Sequence, residues 1–182
     1  MKNYLLFTDG ASSKNPYVAK TFYGGYGYIL FDNDKNEVIL EEKKGEIETT
    51  TTNNSMELTA ILEGLEKFSK INNEYPVSLE IVSDSNYAIN GLKEYLKNWK
   101  ENNWLSYIGK PIKNLDLWKK IDSLIYQLKN KGVQIKYTHV YSHTKLKKQT
   151  NVDIRLIYND MVDKLAVQAK KEAFNKIKEK YE

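Results

Sequence analysis

Short apolar runs, each bounded by turn residues, predict five β-strands in this chain. Continuous or alternating apolar positions mark them at residues 4–7, 23–31, 37–47, 77–82 and 133–140. The polar cluster Asp32–Asn36 predicts a turn between the second and third strands. The first three strands are therefore expected to form an antiparallel meander.

Apolar residues at helical spacing predict helices after the third strand. Asn53 or Asn54 is placed to cap the first helix, whose apolar face is Leu58, Ile61, Leu62, Leu65 and Phe68. Further helices are expected after the fourth strand through Leu92, over 115–128, and from about Leu156 onward.

The element order βββαβαβα predicts an α/β fold, in which helices flank a mixed five-stranded sheet and strands 1, 4 and 5 can run parallel. Segment 95–113 interleaves aromatic residues with lysines. Residues 170–182 are mostly Lys and Glu and are expected to form a charged, solvated helix end. Without internal repeats or linkers, residues 1–182 are expected to be one domain.

Composition narrows the class of protein. The 182 residues include 41% hydrophobic positions and no cysteine, which excludes disulfides, thiolate metal sites and thiol nucleophiles. No apolar run approaches the ~18 residues of a membrane span, and the first residues lack a signal-peptide pattern. We therefore expect a soluble, cytoplasmic protein with no membrane partner.

Charge is concentrated in two basic segments although the net charge is only +4. Residues 93–113 hold five lysines against two glutamates, and residues 143–155 hold three lysines and Arg155 against Asp153. This favours a polyanion-binding face, with simple solvated lysines as the alternative. Arg155 is the only arginine, so a nucleic acid would be held by its backbone rather than recognised by sequence.

Four acidic residues form a candidate reaction centre. Asp9 and Asp84 follow apolar strands, Glu57 stands three residues after Asn54 in a capping-box pattern, and Asp163 lies in the last helix. Each alone has an ordinary structural interpretation as a turn, cap or surface residue. Together they would meet where parallel strands end, and Mg²⁺ or Mn²⁺ would relieve their repulsion. Two such ions ~4 Å apart can promote attack of water on a phosphodiester.

Five motifs occur in the order found in type 1 ribonuclease H. They are Thr8–Ser12, Thr51–Leu58, Ser83–Ser85, Val140–His143 and Asn159–Ala166, and the chain resembles that family from residue 4 to about 170. The resemblance implies a monomeric endonuclease that cuts the RNA strand of RNA–DNA hybrids without sequence preference. It also implies two Mg²⁺ ions, with Mn²⁺ as a possible substitute, and products with 5′-phosphate and 3′-hydroxyl ends.

The same resemblance implies roles for individual residues. Asp9, Glu57, Asp84 and Asp163 would be the metal-binding and catalytic residues, and His143 would assist proton transfer or product release. Segment 95–113, hereafter the protrusion, would grip the DNA strand. The implied substrate-binding residues are Asn15 and Asn53 at RNA 2′-hydroxyls, Thr52 and Asn114 at a DNA phosphate, and Lys97, Trp99, Lys100 and Trp104 on the protrusion.

Three departures from the family pattern bear on these roles. The turn after the first strand is lengthened over 13–22, Thr50 stands where some relatives have an arginine, and 20 positions separate His143 from Asp163. His139 lies in a strand pattern and is expected to pack. Two rival functions are less favoured. The protrusion and the Thr51–Glu57 motif argue against a DNA nuclease, integrase or resolvase core of the same fold group, and the presence of all four carboxylates argues against a non-catalytic hybrid-binding module.

Overall fold

A mixed five-stranded sheet forms the centre of the molecule. A computed structural model describes residues 1–47, 50–71, 73–141 and 152–182. Its strands are β1 (Lys2–Lys14), β2 (Phe22–Asp32), β3 (Glu37–Glu46), β4 (Val77–Ser83) and β5 (Val133–His139). The order is β3-β2-β1-β4-β5, with β1 antiparallel to β2, β2 antiparallel to β3, and β1, β4 and β5 parallel. The predicted α/β fold and its three parallel strands are confirmed.

Helices cover both faces of this sheet. They are α1 (Asn53–Ser69), α2 (Asn86–Asn90), a π-helical turn (Gly91–Tyr95), α3 (Leu96–Glu101), α4 (Leu115–Lys131) and α5 (Ile154–Tyr181). Alternate β1 side chains point to opposite faces, so Leu6 packs with α1 and α4 whereas Leu5 and Phe7 pack beneath α5. None of the helices in the described ranges has the length and apolar character needed to cross a membrane.

Two helical stretches lie between β4 and β5, as expected from the helices predicted through Leu92 and over 115–128, but the first is longer than predicted. The first continues past Leu92 through the π-helical turn into α3, so the protrusion begins as a helix. It continues because Leu96 is buried and the Trp99 ring packs edge-on against buried Trp118, with 5.3 Å between centroids. A bridge between Leu105 and Pro111 then closes a short hairpin.

Thr52, rather than Asn53 or Asn54, caps α1. Its hydroxyl accepts the Ser55 N–H at 3.1 Å, and its own N–H donates to the Ser55 hydroxyl at 2.7 Å. The side-chain oxygen of Asn53 instead accepts the Ser12 N–H of β1 at 2.7 Å. Glu57 is therefore not part of the capping box that the spacing from Asn54 predicted.

The charged end of α5 is solvated on its outer face, as expected, but its inner face is packed on the sheet. Ala169, Ala173 and Ile177 lie on one buried stripe of the helix. At Gly25 of β2, a Cβ would lie 2.2 Å from the Lys170 nitrogen, so only glycine allows this close approach. The lysines and glutamates on the outer face hid a stripe made largely of small residues.

Aromatic contacts complete the attachment of this helix end. Phe174 stacks on Tyr23 of β2 with 5.2 Å between ring centroids. Tyr181 stacks on Tyr17 of the lengthened β1–β2 turn at 5.4 Å. The lengthened turn is thus fixed to the last turn of the last helix.

Replacing Ile177 by Ala tests whether the end of α5 carries stability. Ile177 is 4% exposed, so the variant should lose about 2 kcal/mol of unfolding free energy, the low end for buried Ile→Ala because the site is near a helix end. Urea unfolding measures this loss. Val167→Ala, at a position 48% exposed on the same helix, should change stability by less than ~0.5 kcal/mol. Equal values for the two variants would contradict the packed end.

Candidate active site

The parallel pairing of β1 with β4 brings Asp9 and Asp84 together. The last paired residues are Phe7 and Val82, and each acid follows two positions later, Asp9 within β1 and Asp84 just after the end of β4. Because the two strands run parallel, these equivalent positions lie side by side at the same edge of the sheet. The convergence expected from the strand ends is present.

A close approach of α1 to β1 adds Glu57 to the pair. A Cβ at Gly10 would lie 2.3 Å from the Met56 carbonyl carbon, so the helix can start here only beside glycine. The Asn53–Ser12 hydrogen bond fixes the same helix turn against β1. As a result, one carboxylate oxygen from each of Asp9, Glu57 and Asp84 lies within 4.8 Å of the other two. We call these three residues the carboxylate cluster.

Asp163 approaches the cluster from the other face of the sheet. Its neighbour Val162 is fully buried in the apolar group that includes Leu5 and Phe7, which anchors this part of α5. The Asp163 carboxyl hydrogen-bonds to Asp9 and contributes to raising the pKa of that residue. Four acids therefore gather at one edge, three as a tight group and the fourth against Asp9.

Burial and mutual repulsion hold protons on this cluster. Burial first, and then the negative charge of Asp84, raise the pKa of Asp9 to about 8. Burial, followed by the charge of Asp9, raises the pKa of Glu57 well above its ordinary value. The Gly10 N–H donates to Asp9 Oδ1 at 2.9 Å and fixes the orientation of that carboxyl group.

The cluster fits a hard divalent cation. Glu57 Oε2 is buried and has no hydrogen-bond partner among the residues that the structure describes. An unpartnered buried carboxylate oxygen next to two other acids is costly unless a cation or proton compensates it. Oxygen-only ligands of this kind suit Mg²⁺ or Mn²⁺ rather than a softer metal.

Three side chains that were predicted to bind the nucleic acid, those of Asn15, Asn53 and Thr52, form hydrogen bonds within the protein. Asn15 Oδ1 accepts the Tyr17 N–H at 2.9 Å and shapes the β1–β2 turn. Asn53 and Thr52 hold the start of α1, as described above. All three lie close in sequence to the cluster-bearing segments. Contacts of Asn15 and Asn53 with RNA, and of Thr52 with a DNA phosphate, stay predictions. His143 lies outside the described residues.

Asn114 stands at the start of α4 with a left-handed backbone, φ 57°. Its side-chain amide donates to the Tyr87 hydroxyl at 3.1 Å, and the Trp118 ring nitrogen donates to the same hydroxyl at 3.0 Å. Asn114 also lines a cavity of about 640 Å³ between the starts of α1 and α4, which Thr51 and Ser55 line from the other side. Thr52 is not among the residues that line this cavity.

The protrusion residues divide into packed aromatics and exposed lysines. Trp99 lies between Trp118 and Tyr95, the latter stacked on it at 5.9 Å. Trp104 is half-buried beneath the Lys119 ammonium, 5.6 Å from its ring centroid. Lys100 pairs with Asp122 of α4 at 3.2 Å, whereas Lys97 is exposed. A cleft of about 460 Å³ opens beside this surface, and its lining includes Tyr95, Trp99 and Tyr107.

Two contacts near the site were not expected from the sequence. His139 Nε2 lies 3.1 Å from the Asp84 carbonyl oxygen. Arg155 donates two hydrogen bonds to Glu80 of β4, at 2.5 and 2.8 Å. Both depend on strand register, which places residues distant in sequence side by side, so only a correct alignment of β4 with β5 and α5 could have predicted them.

Comparisons with known proteins agree with this geometry. A family model described as RNase H matches residues 1–171. A Ribonuclease H of Clostridium botulinum (strain Hall) is 34% identical over 170 residues, which cover 93% of this chain and 96% of that protein.

Solved structures share the fold. The PFV RNase H domain in solution has a TM-score of 0.72 at 23% identity, covering 93% of this chain and 95% of that one. The foamy viral protease–reverse transcriptase in complex with RNA/DNA hybrid has a TM-score of 0.71 at 21% identity, covering 92% of this chain and 20% of that one. At these identities the likeness shows the fold alone.

Asp9→Asn should stabilise the metal-free protein at pH 8 and have little effect at pH 4. The unfolded chain loses the Asp9 proton above its ordinary pKa of 3.8, whereas the folded chain keeps it to about 8. Wild-type stability therefore falls as pH rises between these values, and the variant escapes that loss. Thermal unfolding in EDTA should show a gain of several degrees at pH 8, since 1 kcal/mol corresponds to roughly 2–4 °C.

The same thermal-unfolding experiment includes a control variant, Asp34→Asn. Asp34 is exposed, and hydrogen bonds from Asn3 lower its pKa, so Asp34→Asn should not stabilise the protein at pH 8. Mg²⁺ should raise the melting temperature of the wild type more than that of Asp9→Asn. A gap between wild type and Asp9→Asn that does not change with pH would contradict a proton held by burial and repulsion.

Proposed function

Because the chain belongs to the ribonuclease H family, we propose that it is an endonuclease that hydrolyses the RNA strand of RNA–DNA hybrids. We further propose that it uses two divalent cations, ignores base sequence, and leaves 5′-phosphate and 3′-hydroxyl ends. The observation that carries the proposal is the carboxylate cluster, in which Asp9, Glu57 and Asp84 lie within 4.8 Å of one another. The family match over residues 1–171 supplies the substrate class.

Asp9, Glu57 and Asp84 would hold the cations, with Asp163 beside Asp9 completing the set. When bound, Mg²⁺ neutralises charge on a phosphodiester and lowers the pKa of the attacking water. The residues of the chain would orient the carboxylates and keep other hydrogen-bond donors away from them. The Gly10 N–H orients Asp9, and the buried Glu57 Oε2 has no competing donor among the described residues.

A DNA phosphate would lie in the cavity that Asn114 lines. The N-termini of α1 and α4 both face it, and their partial positive charges favour an anion. Glu46 and Asp116 also line the cavity, so the anion would have to lie on the side of Asn114 and Ser55. The hydrogen bond to Tyr87 orients the Asn114 amide for this task.

Base sequence would be ignored because the side chain best suited to guanine edges is already occupied. Arg155, the only arginine, is held in two hydrogen bonds by Glu80 and also contacts Asp153. The exposed lysines of the protrusion offer point charges that bind phosphates. Sequence-independent binding along the backbone follows from this distribution.

Asp163→Asn tests catalysis by the fourth acid against a neighbour on the same helix. It should lower kcat on a labelled RNA–DNA hybrid by at least ~100-fold, because charge stabilisation at a reaction centre is worth that much. Asp160→Asn is the matched control. Asp160 pairs with Lys164 at 2.8 Å on the exposed side of α5, so its variant should keep near-wild-type kcat. Equal activity of the two variants would remove Asp163 from the centre.

Duplex choice separates this proposal from its two rivals. Wild-type protein with Mg²⁺ should cleave RNA–DNA but neither RNA–RNA nor DNA–DNA. Cleavage of DNA–DNA would instead identify a DNA nuclease, and tight hybrid binding without cleavage would identify a binding module. Ends carrying 2′,3′-cyclic phosphate would refute attack by water.

The double variant Lys97→Ala/Lys110→Ala tests the protrusion. It should raise KM for the hybrid with little change in kcat, and reduce the slope of log KM against log salt by roughly one to two, because each lost phosphate contact removes about 0.7–0.9. Lys171→Ala/Lys176→Ala on the exposed side of α5 is the matched control. An equal slope in both double variants would mean that the protrusion lysines are only solvated surface.

A further inference from the structure

His139 is the last residue of β5 and lies beside Ser83, the residue that precedes Asp84. The parallel register pairs Ser83 with His139 at the last position of both strands. The next backbone donor, the Val140 N–H, bonds to the Ser83 carbonyl at 3.0 Å. The next carbonyl of this chain segment, that of Asp84, has a side chain as its hydrogen-bond partner: His139 Nε2 lies 3.1 Å from its oxygen. A carbonyl oxygen only accepts, so Nε2 carries the hydrogen and donates.

The His139 ring is itself held in place. The Tyr141 ring packs edge-on against it, with 5.2 Å between centroids and an interplanar angle of 87°. The ring is thus held by two contacts, the edge-on packing with Tyr141 and the hydrogen bond from its Nε2. Its N–H therefore meets the Asp84 carbonyl in a defined direction.

The turn that follows Asp84 is fixed by its neighbours as well. The Ser85 N–H donates to the Ser83 hydroxyl at 3.0 Å, and the Ser85 hydroxyl accepts the Ala88 N–H as the cap of α2. The Ser85 N–H belongs to the same peptide plane as the Asp84 carbonyl, so its bond to Ser83 and the bond from His139 both act on that plane. This plane shares its Cα with the carboxylate side chain of Asp84.

We propose that His139 is a positioning residue that orients Asp84 within the carboxylate cluster through its Nε2–H bond to the Asp84 carbonyl. The proposal rests on the proposed function, because it gives Asp84 a role in holding a cation. Residues that hydrogen-bond to metal ligands fix the orientation of those ligands, and their loss typically costs 10- to 100-fold in metal affinity or activity. His139 thus has a task beyond the packing expected from its strand pattern.

Two substitutions separate the donated bond from packing. His139→Phe keeps a ring against Tyr141 but cannot donate, and His139→Gln loses the ring but keeps an amide donor of similar reach. His139→Phe should fold with a melting temperature within a few degrees of the wild type, bind Mn²⁺ about 10-fold more weakly, and lower kcat with unchanged KM for the hybrid. His139→Gln should restore Mn²⁺ affinity to within about 3-fold of the wild type.

Mn²⁺ binding, measured by calorimetry without substrate, is the deciding readout. Wild-type affinity in His139→Phe, or an equal loss in both variants, would overturn the positioning role even if stability changed. The result for the wild type tests the proposed function separately from the positioning role. A wild type that binds Mn²⁺ but does not cleave hybrids would refute the proposed function and leave the positioning role to be judged by the two variants' affinities.

Discussion

Carboxylates buried within a few ångströms of one another repel, and this repulsion governs the rest of the site. Asp9, Glu57 and Asp84 have oxygens within 4.8 Å, and two of these acids are almost fully buried. The fold tolerates them only with protons bound, as the raised pKa of Asp9 indicates, or with a cation in their place. Carboxylates that destabilise the fold when they are all charged bind strongly to a proton or a cation that neutralises them. Function and instability thus come from the same arrangement.

The scaffold creates this crowding by a few specific contacts. Parallel pairing sets Asp9 beside Asp84, and the missing side chain of Gly10 lets α1 deliver Glu57. The ring of His139 then acts on the Asp84 backbone from the end of β5. Each contact comes from a different element, so the site depends on the sheet register as a whole. Its geometry is therefore a property of the fold rather than of any single motif.

The sequence was sufficient to predict features that local patterns determine. It was insufficient where tertiary contacts decide between residues with the same local preference. Asp9 and Asp84 directly follow the apolar runs of two neighbouring parallel strands, so their convergence follows from the strand order, although β1 itself continues to Lys14. The helix cap did not follow, because Thr52 and Asn53 both have capping side chains, and only the bond from Asn53 to β1 leaves the cap to Thr52. The end of α5 was misjudged because Ala173 is too small to make an apolar stripe conspicuous, yet it packs closely on the sheet.

Proton release on metal binding tests the central claim most directly. Mn²⁺ titrations by calorimetry at pH 7, in two buffers of different ionisation enthalpy, count the protons that each bound ion displaces. Because the pKa of Asp9 is raised to about 8 and that of Glu57 is also raised, we expect saturable binding with release of at least about one proton per cluster at pH 7, and this release should decrease as the pH rises past about 8. Saturable binding without proton release, or no saturable binding, would contradict the claim that a cation replaces a proton held there by burial and repulsion.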